Sequence, residues 1–189
     1  MVQDDAQLVQ AAIDGNTAAF GQLVRKYQDR LFTALVSVSG CRNDAEDSVQ
    51  EALVQAYVKL GSFTHGSSFY TWLYRIAFNA AISRRRRRRA NASLDQTRRN
   101  TGAEPEDGAE RPEDEVLREE RAGLVQQALL QVKEEYRVIL VLREMEGCDY
   151  DTIAQVLDLP VGTVRSRLHR ARLQLREQLN GIFDDSADR

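Results

Sequence analysis

CDYDTIAQVLDLPVGTVRSRLHRARLQLRE, residues 148–177, decides how the rest of the chain is read. Ile153, Ala154 and Leu157 give a short apolar helix, and Val164, Leu168, Ala171 and Leu175 give a second. The latter four fall at intervals of four, three and four, which stacks them on one face at about 100° per residue. That stripe must face a core. The opposite face carries Thr163, Ser166, His169 and Arg170, flanked by Arg165, Arg167 and Arg172. No acidic residue lies between Val161 and Arg176, whereas five arginines do. Asp158 stands where a tight turn needs a residue tolerant of positive φ, and Pro160 where its fixed φ suits a first helical turn. A basic helix with one apolar stripe, entered through a short helix and a turn, is the form that inserts into a DNA major groove.

The whole chain has 189 residues, of which 42% are hydrophobic, enough for one medium domain or two small ones. Three prolines and short β-branched runs point to an all-α class. A net charge of −3 argues nothing about nucleic acid, but its distribution does. Arginines cluster at 84–89 and 165–176 and acids at 104–120, so separate surfaces are expected for separate partners. Cys41 and Cys148, with no CxxC spacing, read as small buried or half-buried residues rather than a disulfide or metal pair. The start MVQDDAQLVQ lacks the basic and apolar regions of a signal peptide, and no run reaches the ~18 apolar residues of a membrane span. A cytoplasmic protein without membrane insertion is expected.

Taken in order, Asp4 or Asp5 caps a first helix ended by Gly15, and Thr17 caps a second that stops near Gly40. Asn43 and Glu46 have capping-box spacing at the start of a third helix reaching Leu60. Its outer face shows Asp44, Asp47, Gln50 and Glu51. Helix-dipole stabilisation accounts for the first two; Gln50 and Glu51 lie beyond the first turn and leave an acidic patch for a basic partner. After the loop SFTHGSS (62–68), a fourth helix places Phe69, Trp72, Leu73, Ile76, Ala77 and Ala80 inward and runs into Arg84–Arg89. Aromatics beside phosphate-neutralising arginines compose a single-strand-binding surface, with Tyr70, Tyr74 and Phe78 near Trp72; plain core packing of Trp72 is the competing reading. Asn79 is a lone amide on this apolar helix, and amides pair with base edges. Residues 91–112 are polar and then acidic, too polar to fold alone. Beyond them come an acidic-first helix from Pro112, a further helix from about Glu135 to Met145, and the opening motif. The expected division is thus a helical domain at 1–90, a linker at 91–112, a second helical domain at 113–183 and an acidic tail at 184–189.

DAEDSVQEALVQAY (44–57), FTHGSSFYTWLYRIAFNAAISRRRRR (63–88) and PVGTVRSRLHRAR (160–172), in that order, resemble bacterial sigma factors of the extracytoplasmic-function (ECF) class. The resemblance runs from about residue 5 to 180. It implies an all-α protein of two helical domains that binds core RNA polymerase, recognises the −35 and −10 promoter elements and melts the latter, without being an enzyme. It implies no cofactor or metal; an anti-sigma factor is a further partner such a protein can have. By position, Asp44, Asp47, Gln50 and Glu51 would meet the β′ clamp helices. Thr64, His65, Gly66, Ser67 and Ser68 would form the −10 specificity loop, beside Trp72 and the base-engaging Asn79. Arg84, Arg85 and Arg86 would follow the −10 backbone, a positioning contact without sequence information. Thr163, Arg165, Ser166, Arg167, His169 and Arg170 would contact the −35 element, and the packing around Leu140–Ile153 would dock on the β flap. The acidic linker resembles the segment that threads toward the polymerase active site.

Some positions depart from the family pattern. Val132-Lys133 stands where Leu-Pro is usual, which implies a continuous helix there, and Asp158 replaces the usual turn glycine. His169 leaves the preferred −35 bases open. The alternative from another class is an autonomous helix-turn-helix repressor or activator, which needs neither an acidic polymerase dock nor a pocket for an unstacked base. An enzyme fits least, since His65 and His169 form no acid–base or metal constellation.

Overall fold

The computed structural model describes residues 4–64, 66–94 and 113–187, with side chains at 4–64, 66–85 and 121–182. All its regular structure is helical: α1 (Asp5–Ile13), α2 (Thr17–Ser39), α3 (Arg42–Lys59), α4 (Phe69–Leu94), α5 (Glu113–Gln131), α6 (Glu134–Leu140), α7 (Tyr150–Leu157) and α8 (Val161–Ala187). A 3₁₀ turn follows α3 at Leu60–Ser62, and a π turn follows α6 at Val141–Met145. The helix α4 continues past residue 90, and α8 takes in the first residues of the expected acidic tail.

In the N-terminal half, α2, α3 and α4 pack together with α1 laid across α2. Leu23, Leu31 and Leu35 of α2 meet Ala45, Ala52 and Ala56 of α3 and Leu73, Tyr74, Ala77 and Phe78 of α4, all essentially without exposure. Small residues on α3 let its axis approach closely while the large ones on α2 and α4 fill the space. Burial of each large aliphatic or aromatic side chain contributes about 1.5–3 kcal/mol relative to exposure. In the C-terminal half, α8 packs on α5, α6 and α7 through Val164, Leu168 and Ala171, all buried as the periodicity predicts.

Four local expectations are corrected. Asn16, not Thr17, caps α2, its side chain accepting from the Ala19 N–H at 3.2 Å. Cys41 is the N-cap of α3, so Asn43 lies inside the helix and forms no capping box. Asp4 precedes α1 without a side-chain cap bond, while Asp5 is engaged by Lys26 and Tyr27. Helices α5 and α6 are not continuous at Val132-Lys133. The Arg137 guanidinium donates to the carbonyls of Leu130 (2.8 Å) and Val132 (2.9 Å), which a continuing helix would have used itself. Lys133 is extended there, and its N–H donates to Gln174 of α8 at 3.3 Å.

The two halves share one core and a set of polar ties. Gly40 ends α2 in the left-handed region (φ 72°), and a Cβ there would come within 2.5 Å of Leu130 of α5. The last carbonyls of α2 lack helical partners, and the C-terminal half supplies them. Gln126 donates to the Ser37 carbonyl at 3.3 Å and buried Arg137 to the Val38 carbonyl at 2.8 Å. At the other edge, Glu146 is enclosed by Arg30, Tyr70 and Tyr74. None of the described helices is long and apolar enough to cross a membrane.

Candidate nucleic-acid interface

The turn between α7 and α8 builds the first surface. Asp149 caps α7, its carboxylate accepting the Thr152 N–H at 2.7 Å, and that bond holds its pKa below the ordinary 3.8. Asp158 closes α7 at φ 53°, ψ 51°, and among the described non-glycine residues it alone has positive φ. The Pro160 carbonyl then accepts from Thr163 (2.8 Å) and Val164 (3.1 Å), which starts α8. With the apolar stripe buried, Arg165, Ser166, His169 and Arg170 are left exposed, as the sequence predicts, and Thr163 is half-buried. The Ser166 hydroxyl donates to the Thr163 carbonyl at 3.0 Å.

The remaining arginines of α8 divide by their partners. Arg167 is half-buried and pairs with Glu135 at 3.3 Å. Arg172 pairs with Glu144 at 2.7 Å, and that hydrogen bond raises its pKa further. Neither Arg165 nor Arg170 has an ion-pair partner among the described residues, so these two are the cations this face offers to a polyanion. Sequence reasoning missed Tyr150, whose ring lies under both Arg143 (5.2 Å) and Arg165 (5.9 Å) and braces the latter. Its place one residue beyond the α7 cap was the available signal.

The second surface is on α4 and the loop before it. Thr64, Gly66 and Ser67 line a cleft of about 370 Å³ together with Trp72 and Arg75. Trp72 and Arg75 also line a neighbouring cleft of about 350 Å³ with Asn79 and Glu51. The structure therefore brings the loop, Trp72 and exposed Asn79 to one side of α4. Ser68 is committed locally: its Oγ accepts the Thr71 N–H at 3.1 Å and its carbonyl the Trp72 N–H, which starts α4. His65 lies outside the described residues. Arg75 was missed although it sits between Trp72 and Asn79 at helical spacing; it is exposed, with Asp158 at 3.9 Å.

The aromatic expectation needs correction. Tyr74 and Phe78 are wholly buried, and Phe78 stacks on Tyr74 at 5.8 Å within the core, so neither can receive a base. Trp72 is half-buried against Phe63 (5.3 Å) and Phe69 (5.8 Å), which leaves one part of its indole facing the clefts.

On α3, Asp47 and Gln50 are exposed while Asp44 and Glu51 are half-buried. Val54 (64% exposed) and Val58 (76% exposed) continue the Asp47–Glu51 face at intervals of three and four, an apolar extension the sequence reading passed over. The basic run does not simply point at solvent. Arg84 crosses to Asp47 at 2.5 Å and Glu51 at 3.9 Å, and Arg85 reaches Glu134 and the Val38 carbonyl, both at 3.3 Å. The Arg86 side chain is outside the described set.

Comparison with known proteins agrees with this geometry. Residues 23–91 match the family model for Sigma-70 region 2, and residues 122–175 that for Sigma-70, region 4. The RNA polymerase sigma-H factor of Pseudomonas aeruginosa is 38% identical over 97% of this chain and 98% of its own. The ECF RNA polymerase sigma-E factor of Escherichia coli is 39% identical over 89% and 90%. Among solved structures, CnrH in complex with the cytosolic domain of CnrY superposes with a TM-score of 0.68 at 29% identity, covering 94% of this chain and 97% of that one. The sigma factor RpoE bound to the anti-sigma factor NepR, from Bartonella quintana, gives 0.68 at 28% identity over 85% and 96%.

Proposed function

The chain belongs to the ECF class of bacterial sigma factors, and we propose how its surfaces divide the work of bringing core RNA polymerase to a promoter and opening it. The exposed face of α8 reads the −35 duplex. Arg165 and Arg170 are its cationic contacts, and Ser166 and His169 present polar edges between them. Arg167 enters only if its pair with Glu135 opens. The α4 surface engages the non-template −10 strand, with Asn79 hydrogen-bonding an extruded base and Trp72 offering the free part of its ring. Extrusion costs a few kcal/mol of unstacking, so a pocket that rewards one base couples sequence choice to strand separation. Asp47, Gln50 and Glu51, extended by Val54 and Val58, form the polymerase dock: acids for a basic coiled coil and an apolar end for its stem. The protein binds and deforms its partners and transfers no group.

The observation that carries this reading is the pairing, on one chain, of an acidic–apolar face on α3 with an exposed basic face on α8 and the Trp72–Asn79 cleft on α4. An autonomous repressor uses only the last helix, and relatives along nearly the whole length are sigma factors. The solved RpoE relative is bound to an anti-sigma factor, and a partner of that kind is proposed here as well. Run-off transcription with core polymerase on a promoter library tests the reading. Transcripts that depend on this chain and share two spaced elements are expected; DNA binding without polymerase-dependent transcripts would overturn it.

A further inference from the structure

We propose that Glu146 is the bolt of an interdomain latch, which holds the free chain closed in a form unable to occupy both promoter elements. Glu146 lies just after the π turn that follows α6, with its side chain only 5% exposed. Its carboxylate accepts from Arg30 Nε at 2.6 Å, the Tyr70 hydroxyl at 3.1 Å and the Tyr74 hydroxyl at 3.2 Å. Arg30 also donates to the Glu146 carbonyl at 2.8 Å and stacks over the Tyr70 ring at 5.0 Å. The Cys148 thiol is 3.6 Å from the Tyr70 hydroxyl. All three donors to the carboxylate belong to α2 and α4, and the acceptor belongs to the other half of the chain. Burial pushes both phenols up, so they remain donors across the physiological range.

Geometry makes the closed form incompetent. Elements at −35 and −10 are about 25 base pairs apart, or about 85 Å at 3.4 Å per step. Here α4 and α7 are in contact: Arg75 is 3.9 Å from Asp158, and Asn79 faces Leu157 and Leu159 across one cavity of about 790 Å³. The turn that starts the reading helix thus stands against the surface that would take the −10 base. The 18 residues between α4 and α5 can reach about 60 Å when extended, so separation is covalently allowed. A charged, hydrogen-bonded contact suits a reversible latch. Its members all regain water on opening, and the desolvation they suffer when closed offsets much of their mutual attraction. The apolar contacts that the halves also share resist opening in proportion to their area, so the polar set is the part that a single charge change can tip.

The test uses the full chain without polymerase, by small-angle X-ray scattering and by binding to promoter fragments. A closed chain of this length has a radius of gyration of about 16 Å. Glu146→Lys should expand it by several ångströms with unchanged helical circular dichroism. Tyr70→Phe with Tyr74→Phe removes two donors while keeping the core volume, and should expand it partially. Reversal of the pair, Arg30→Glu with Glu146→Arg, should restore compaction. A fragment with both elements and an unpaired −10 segment should bind the opened variants about tenfold more tightly, and a −35-only duplex equally. Expanded wild type, or variants as compact as wild type, would overturn the latch. The occlusion half rests on the promoter-reading assignment: expansion with equal, element-dependent binding by wild type and variants would overturn the occlusion alone, and binding by none of them that depends on either element would overturn the assignment.

Discussion

Arg84→Ala separates two roles that a run of six arginines would blur. In the free chain, Arg84 bridges Asp47 and Glu51, the residues assigned to polymerase docking, through side chains that are 36%, 53% and 41% exposed. A basic coiled coil can reach those acids only by displacing Arg84. Exposed pairs of this kind are worth about 0.2–1 kcal/mol, so removing the competitor should tighten core binding by up to about fivefold. The same substitution removes one phosphate contact from the −10 backbone. The slope of log K against log salt for DNA binding by the holoenzyme should then flatten by about 0.9. Fluorescence anisotropy of labelled chain against core polymerase at 0.1 M salt measures the first effect, and a salt series on a promoter fragment the second. The signs are opposite, and that makes the test decisive. If Arg84→Ala weakens core binding, Arg84 contributes directly to the dock and the competition argument fails. The control is Asp47→Lys, which must weaken core binding in any version of the acidic-dock reading.

Asn79→Ala should lower permanganate reactivity of −10 thymines by roughly 5- to 150-fold, from the about 1–3 kcal/mol of a bidentate base contact, with −35 affinity unchanged; normal melting would remove Asn79 from base recognition. Arg170→Ala should cost about 1–3 kcal/mol on the preferred −35 sequence and relax selectivity, as seen by competition with mutated operators. An equal loss from Arg170→Ala on every −35 sequence would assign it to the phosphates, and Arg172→Ala should change −35 affinity little, because Glu144 already holds that guanidinium. Asp149 has a folded pKa below its ordinary 3.8, so its cap stabilises α7 above that pH and is lost as pH falls through the folded value. Amide exchange in α7 should therefore accelerate below about pH 3.8 in the wild type and be insensitive to pH there, after correction for intrinsic rates, in Asp149→Asn.

The reading helix was legible because each of its constraints is local. Val164, Leu168 and Ala171 lie within two turns of one another, so a 3.6-residue period locates the buried face without knowledge of what covers it. Asp158 was legible for a related reason, since a left-handed residue between two apolar periods is dictated by backbone sterics alone. Caps were harder. Asn16 and Thr17 are adjacent residues of the same propensity class, and the choice between them turns on which one takes extended φ/ψ. The α5–α6 break was half legible: a further helix from about Glu135 was expected, but Val132-Lys133 read as continuous because the sequence does not show that the Arg137 guanidinium takes two carbonyls there.

The misplaced aromatics have a more instructive cause. Helix α4 is covered by α2 and α3 on one side and by α7 on another, so its buried arc is wider than a single stripe. Periodicity measured against one core then counts Tyr74 and Phe78 as outward, although they are fully buried. Tyr74 is buried with a hydroxyl, which needs a partner. The partner is Glu146, 72 residues away on the other half. A buried phenol on the helix assigned to single-stranded DNA thus points toward the second domain, not toward the nucleic acid. On the proposed reading, that moves part of α4 from promoter recognition to closure and leaves Trp72, Arg75 and Asn79, which line the clefts, as the set offered to DNA. Such a division implies that substitutions five residues apart on one helix act oppositely: loss of the Asn79 amide should weaken promoter opening, and loss of the Tyr74 hydroxyl should ease it.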